Sequence, residues 1–238
     1  MCQDHPKETI SRRGLLGGGL ALSVAAAAAV SASPAIAQTS DAPPATPEEA
    51  LQRLKEGNAR YVANTPRNAD HSAGRSSRAE GQAPFAAIVA CADSRVVPEL
   101  VFDQGPGDLF VVRVAGNFIS ENGLASLEFG AAVLGVKTIV VLGHENCGAV
   151  YATIDSIKDR VLPPGHLPSL VNAIRPAVYD VMAENPENLL EAATARNAEL
   201  NAQFAAEADP ILSEMHAAGK ISSVAAVYEI ATGEVKFL

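Results

Sequence analysis

Two short apolar runs in this chain each end abruptly in side chains that carry charge or bind metals. Residues 85–90 (FAAIVA) lead into Cys91-Ala92-Asp93-Ser94-Arg95, and residues 137–142 (KTIVVL) lead into Gly143-His144-Glu145-Asn146-Cys147-Gly148. Continuous apolar runs of this length, rich in β-branched residues, are the mark of strands buried on both faces. Residues 109–114 (LFVVRV) form a third such run. Helical patterns separate and follow them, over 123–134, 148–159, 169–183 and 186–218, the last interrupted at Pro210. Residues 223–230 and 234–238, joined across Ala231-Thr232-Gly233, read as a closing hairpin. Strands alternating with helices predict an α/β fold, with a mostly parallel central sheet, an added edge strand or hairpin, and helices on its flanks. No repeat of 20–50 residues interrupts this order.

In such open sheets ligands sit beyond the carboxyl ends of the strands. Cys91, His144 and Cys147 therefore arrive at one edge from two distant segments. Two thiolates and one imidazole, with a fourth position open, form a recognised catalytic zinc set. Iron and copper remain compatible with the same donors. Asp93 and Arg95 project to the side of Cys91 if the segment stays extended. Asp93 then either ligates the metal or accepts a hydrogen bond from water on it, while Arg95 holds the carboxylate ionised in a two-pronged pair. A helix starting near Gly148 turns its amides toward the Cys147 thiolate. A Cys91–Cys147 disulfide is the competing use of the two sulfurs, and each motif alone also fits a plain buried thiol or an ion pair. His71, His166 and His216 read as solvated.

Residues 1–37 read as an export signal. Arg12 and Arg13 precede an apolar run to about Val30, and Ala35-Ile36-Ala37 offers a cleavage site. The paired arginines ahead of a Gly- and Ala-rich segment fit the twin-arginine type, which predicts a periplasmic or otherwise exported mature chain. An uncleaved membrane anchor is the alternative. Residues 38–46 read as a flexible leader, and 47–238 as a single catalytic domain with an N-terminal helical arm. Thr46-Pro47-Glu48-Glu49 supplies that arm's start, and residues 65–83 read as a loop. With 27 acidic against 18 basic residues, the chain lacks the surface that sequence-independent nucleic-acid binding needs. No later stretch is long and apolar enough to insert stably in a membrane. Three cysteines are too few for a disulfide scaffold.

The two signatures CADSR and HENCG, in this order, resemble those of the β-class carbonic anhydrases. The resemblance takes in LKEGNARYV, GDLFVVRVAGN, ASLEFGAAVLGVKTIVVLGHENCG and the closing SSVAAVYEIATGEVKFL. It implies one Zn2+ per subunit on Cys91, His144 and Cys147, with Asp93 closing the fourth position in a resting form and pairing with Arg95 in the active one. It implies reversible hydration of carbon dioxide to bicarbonate and a proton, through hydroxide held on zinc. Gln82 then donates to the substrate, Phe110 and Phe129 line an apolar pocket beside the metal, and Gly148 belongs to the substrate side. A homodimer, packed through the N-terminal helix and the sheet, or a larger assembly of dimers is implied as well. The chain departs from many relatives in having Val114 after Arg113. It also has Ile88 where one subgroup places a tryptophan of a second bicarbonate site, so that site is incomplete. Hydrolysis of carbonyl sulfide or carbon disulfide, and a structural zinc module with no open position, are the rival readings.

Overall fold

A computed structural model describes residues 42–72 and 74–238. The export signal expected over 1–37, and the first part of the leader, lie outside the described residues. The first helix, α1, is Pro47–Val62. Its start follows the predicted chemistry: the Thr46 hydroxyl accepts from the Glu49 amide, and the Glu49 carboxylate accepts from the Thr46 amide. Leu54, on its inner face, is fully buried.

The sheet is made by β1 (Ala86–Ala90), β2 (Leu109–Arg113), β3 (Thr138–His144), β4 (Ser222–Tyr228) and β5 (Val235–Phe237). Its order is β2-β1-β3-β4-β5. The first four strands are parallel and β5 returns antiparallel beside β4, as a hairpin must. Because side chains alternate along a strand, β1 and β3 feed two separate cores. Ile88, Val140 and Leu142 face Leu54 and Phe102 on one side. Ala87, Val89, Ile139 and Val141 face Leu127, Ala198 and Leu212 on the other.

The remaining helices are α2 (Arg75–Glu80), α3 (Pro98–Val101), α4 (Glu121–Ala132), α5 (Gly148–Asp159), α6 (Leu167–Met182), α7 (Leu189–Glu207) and α8 (Ile211–Ala217). Two of them correct the sequence reading. α2 lies inside the expected loop 65–83, and α3 was not foreseen between the first two strands. Helices of 6 and 4 residues are too short for an apolar period to register; α3 is held by the burial of Pro98 and Val101, whereas α2 buries none of its residues. The helical region 186–218 divides into α7 and α8 at Pro210, which follows a cis peptide bond. No helix among the described residues is long and apolar enough to cross a membrane.

Candidate metal centre

β1 and β3 are paired in parallel register, Ala90 beside Leu142, so their carboxyl ends emerge together. Cys91 follows β1 directly, His144 is the last residue of β3, and Cys147 is the N-cap of α5. One ligand atom from each lies within 4.8 Å of the others, and all three residues are buried. Both cysteines are free thiols. The turn between β3 and α5 is fixed by the Glu145 amide donating to the Tyr228 carbonyl, and Asn146 takes the left-handed conformation that asparagine tolerates.

The imidazole is oriented by its neighbour. His144 Nδ1 lies 2.9 Å from the Glu145 carbonyl, which can only accept, so the ring proton sits on Nδ1. That leaves Nε2 as a bare acceptor, fully buried and without a hydrogen-bond partner among the described residues. A buried acceptor with no donor is costly unless something electrophilic meets it. The sulfurs are similarly arranged. Cys147 bonds to Cys91 and so holds the Cys91 thiol far below its ordinary pKa, with the Gly116 amide at 3.2 Å helping. The same shared bond, together with burial, pushes Cys147 up, while the Val150 and Ala149 amides at the start of α5 oppose the rise. Burial plus a shared proton is the state of a thiol pair that a soft cation would displace. The donor set therefore fits zinc in chemistry, burial and orientation.

Gly116 owes its identity to this packing. Its φ is +87°, and a Cβ there would lie 2.4 Å from Ile174 Cδ1. Asn197 on α7 holds the Gly116 carbonyl at 2.9 Å from Nδ2. Neither residue was singled out from the sequence. The only local signal was a glycine two residues after Val114.

Asp93 is not one of the three clustered donors. Its Oδ1 accepts from the Arg95 amide at 2.9 Å and from Arg95 Nε at 3.0 Å, and its Oδ2 accepts from Nη2 at 2.8 Å. Those bonds hold its carboxyl well below the usual carboxylate range. Oδ2 nevertheless stands only 3.9 Å from His144 Nε2. Of the two places the sequence allowed Asp93, the structure has it paired with Arg95.

The residues matched to the substrate side do not converge on the metal within one chain. Gln82 is exposed and precedes β1, at the end of that strand opposite Cys91. Phe110 pairs in register with Ala87, about 13 Å down the strand from Cys91 at the usual rise per residue. Phe129, on α4, packs against Phe110 with ring centroids 6.5 Å apart and is 47% exposed. Gly148 does flank the centre as the first residue of α5, where an added Cβ would meet nothing within 4 Å. Of the histidines read as solvated, His71 and His166 are exposed, but His216 Nε2 lies 2.9 Å from Ser223 Oγ in a partly buried pair.

The profile of the carbonic anhydrase family matches residues 86–235. Carbonic anhydrase 2 of Mycobacterium tuberculosis is 48% identical over 140 residues, which are 57% of this chain and 66% of that relative's length. A carbonic anhydrase of Mycolicibacterium smegmatis is 36% identical over 82% of this chain and 94% of its own. Among solved structures, the Coccomyxa β-carbonic anhydrase in complex with acetazolamide is 31% identical with a TM-score of 0.59, covering 79% of this chain and 86% of that one. Matched motifs, a buried pair of thiols with one imidazole at the carboxyl edge of the sheet, and these likenesses lead to one conclusion: the chain belongs to the carbonic anhydrase family and has the β-class fold.

Proposed function

We propose that this chain is a zinc enzyme that reversibly hydrates carbon dioxide to bicarbonate and a proton, with Cys91, His144 and Cys147 holding the metal. The observation that carries the reading is the bare, fully buried Nε2 of His144 facing two thiols beside a carboxylate clamped by arginine. When bound, zinc supplies Lewis acidity, bringing the ionisation of water within reach of neutral pH. Asp93, kept ionised by Arg95, accepts the hydrogen bond of the attacking oxygen and aims its lone pair at carbon. The amides that open α5 keep Cys147 in place as a donor.

Gln82, Phe110 and Phe129 are proposed to bind the substrate across a homodimer. This is supported by their distance from Cys91 within one chain and by the edge position of β2, which leaves Phe110 and Phe129 at a border of the sheet. Export to the periplasm through Arg12 and Arg13 is proposed from the sequence; Arg12→Lys together with Arg13→Lys should leave the protein unprocessed in the cytoplasm. Processing and export unchanged by that pair would reject the twin-arginine route.

The function is tested by stopped-flow hydration of carbon dioxide with zinc-loaded protein at pH 7 and pH 8.5. The thiolates of Cys91 and Cys147 would cancel a bound zinc's formal charge and so weaken its effect on the ionisation of water relative to three neutral ligands, so turnover should be faster at pH 8.5. Full zinc content with no hydration at either pH would reject the proposal.

A further inference from the structure

The carboxylate of Asp93 has two destinations within reach, and something must choose between them. One is the Arg95 fork that it occupies. The other is the metal position: Oδ2 is 3.9 Å from His144 Nε2, and two ligands of a tetrahedral zinc stand about 3.4 Å apart. A small shift of the segment 91–93 would bring the carboxylate into ligating range. Arg95 cannot by itself prevent that shift. It lies two residues from Asp93 in the same turn, its side chain is 50% exposed, and its three bonds all go to Asp93 itself. It moves with the group it holds.

We propose that Arg113 is a positioning residue that anchors this segment and thereby keeps Asp93 on Arg95 and off the metal, an inference that rests on the function proposed above. Arg113 ends β2, opposite Ala90 in the β1–β2 register. Its Nε donates to the Cys91 carbonyl at 2.9 Å and its Nη2 to the Asp93 carbonyl at 2.6 Å. The two acceptors lie at either end of the three-residue segment, and the donors belong to one rigid planar group. Between them, the Ala92 amide donates to the Val114 carbonyl at 3.2 Å. The segment is thus tied to a neighbouring strand at three successive residues, two of the ties passing through one guanidinium. No other side chain among the described residues is seen to donate to either carbonyl. Lysine at this position offers a single ammonium head and cannot reproduce a fork across two carbonyls.

The test reads the metal position directly, apart from turnover. The full-length protein is loaded with cobalt in place of zinc, and thiocyanate is titrated by visible absorption in the wild type, Arg113→Ala, Arg113→Lys, Asp93→Ala and the Arg113→Ala/Asp93→Ala double variant. Arg113→Ala should retain cobalt but bind thiocyanate roughly tenfold more weakly, because Asp93 now competes for the open position, with Arg113→Lys intermediate. Deleting Asp93 in the same chain should restore the affinity to that of Asp93→Ala alone. Loss of a positive charge or general loosening of the fold would instead leave the double variant weaker than Asp93→Ala alone. Thiocyanate affinity in Arg113→Ala within about twofold of wild type, or a loss that the double variant does not restore, overturns the proposal. If Arg113→Ala fails to hold cobalt, Arg113→Lys decides instead, and undiminished affinity there overturns it. A wild type that binds cobalt and thiocyanate but hydrates no carbon dioxide would sink the proposed function while leaving this test of Arg113 intact.

Discussion

Cys147 and Asp93 stand within one small volume and answer to different chemistry. The sulfur of Cys147 is buried, shares a hydrogen bond with Cys91 and faces the first amides of α5. An alcohol in its place stays protonated at neutral pH and donates poorly to zinc. Cys147→Ser should therefore lose most of its metal and its turnover together, read by elemental analysis and stopped-flow on the same sample. Asp93→Asn keeps the shape of the side chain but gives Arg95 no charge to hold. It should retain zinc and lose turnover by roughly two to three orders of magnitude, the size expected when a positioned proton acceptor is removed. Equal zinc loss in both variants would place Asp93 among the ligands. The reach of the sequence at this scale follows chain separation. CADSR and HENCG were legible because each delivers its groups within a few residues of a strand end. The Gly116 amide on Cys91 and the Asn197 amide on Gly116 span 25 and 81 residues, and nothing local marks either partner.

Helix α1 is tied to the connection between α3 and β2 by a charged anchor as well as by apolar contact. The buried Asp103 carboxylate accepts from Arg60 Nε of α1 and from the amides of Arg67 and Asn68 in the following loop. Burial alone would push its carboxyl up. The Arg60 guanidinium and the two amides outweigh burial and hold it below the usual range. A carboxylate whose folded pKa is depressed contributes stability that is present above the unfolded value of about 3.9 and is lost as pH falls through the folded value. Asp103 also has a φ of +44°, which asparagine tolerates, so Asp103→Asn keeps the backbone while it removes the charge and turns one accepting oxygen into a donor, as protonation of the carboxylate would. At pH 7 the variant should be less stable by about 2–3 kcal/mol, and its Tm lower by roughly 5–10 °C. Thermal melts from pH 7 to pH 2.5 should show that gap steady down to about pH 5 and closing below pH 4. A gap independent of pH would reject the anchor. The sequence showed where α1 begins, through a capping box written in four consecutive residues. It could not show what the far end of α1 grips, because Asp103 sits 43 residues from Arg60.

For the whole molecule, the proposed metal ligands and the proposed substrate groups differ in whether one chain brings them together. Cys91, His144 and Cys147 meet within one chain, so zinc binding should not depend on a partner. Gln82 lies beyond the opposite end of β1 from Cys91, and Phe110 sits well down β2, so their proposed roles require a second copy. The parallel α/β architecture was readable because each buried strand is a compact apolar run. The separation of Gln82 and Phe110 from Cys91 was not, since matching a motif says which residue is assigned to a site but not where the fold carries it. Beside Phe129, Val133 at the end of α4 is 64% exposed, a large apolar side chain with no catalytic assignment. A carboxylate there would be harmless in a monomer, whereas in the proposed homodimer, with the exposed Phe129 face of α4 in its interface, it would be unpaired, a cost on the order of several kcal/mol per buried charge. Val133→Glu should therefore shift the proposed homodimer to monomer in light scattering at micromolar concentration, and a wild type that is itself a monomer would reject the dimer. The monomer should keep its zinc while its turnover falls steeply, because the metal centre survives and the substrate-binding groups do not. A fully active monomer would show that one chain makes the whole site, and would remove Gln82, Phe110 and Phe129 from it.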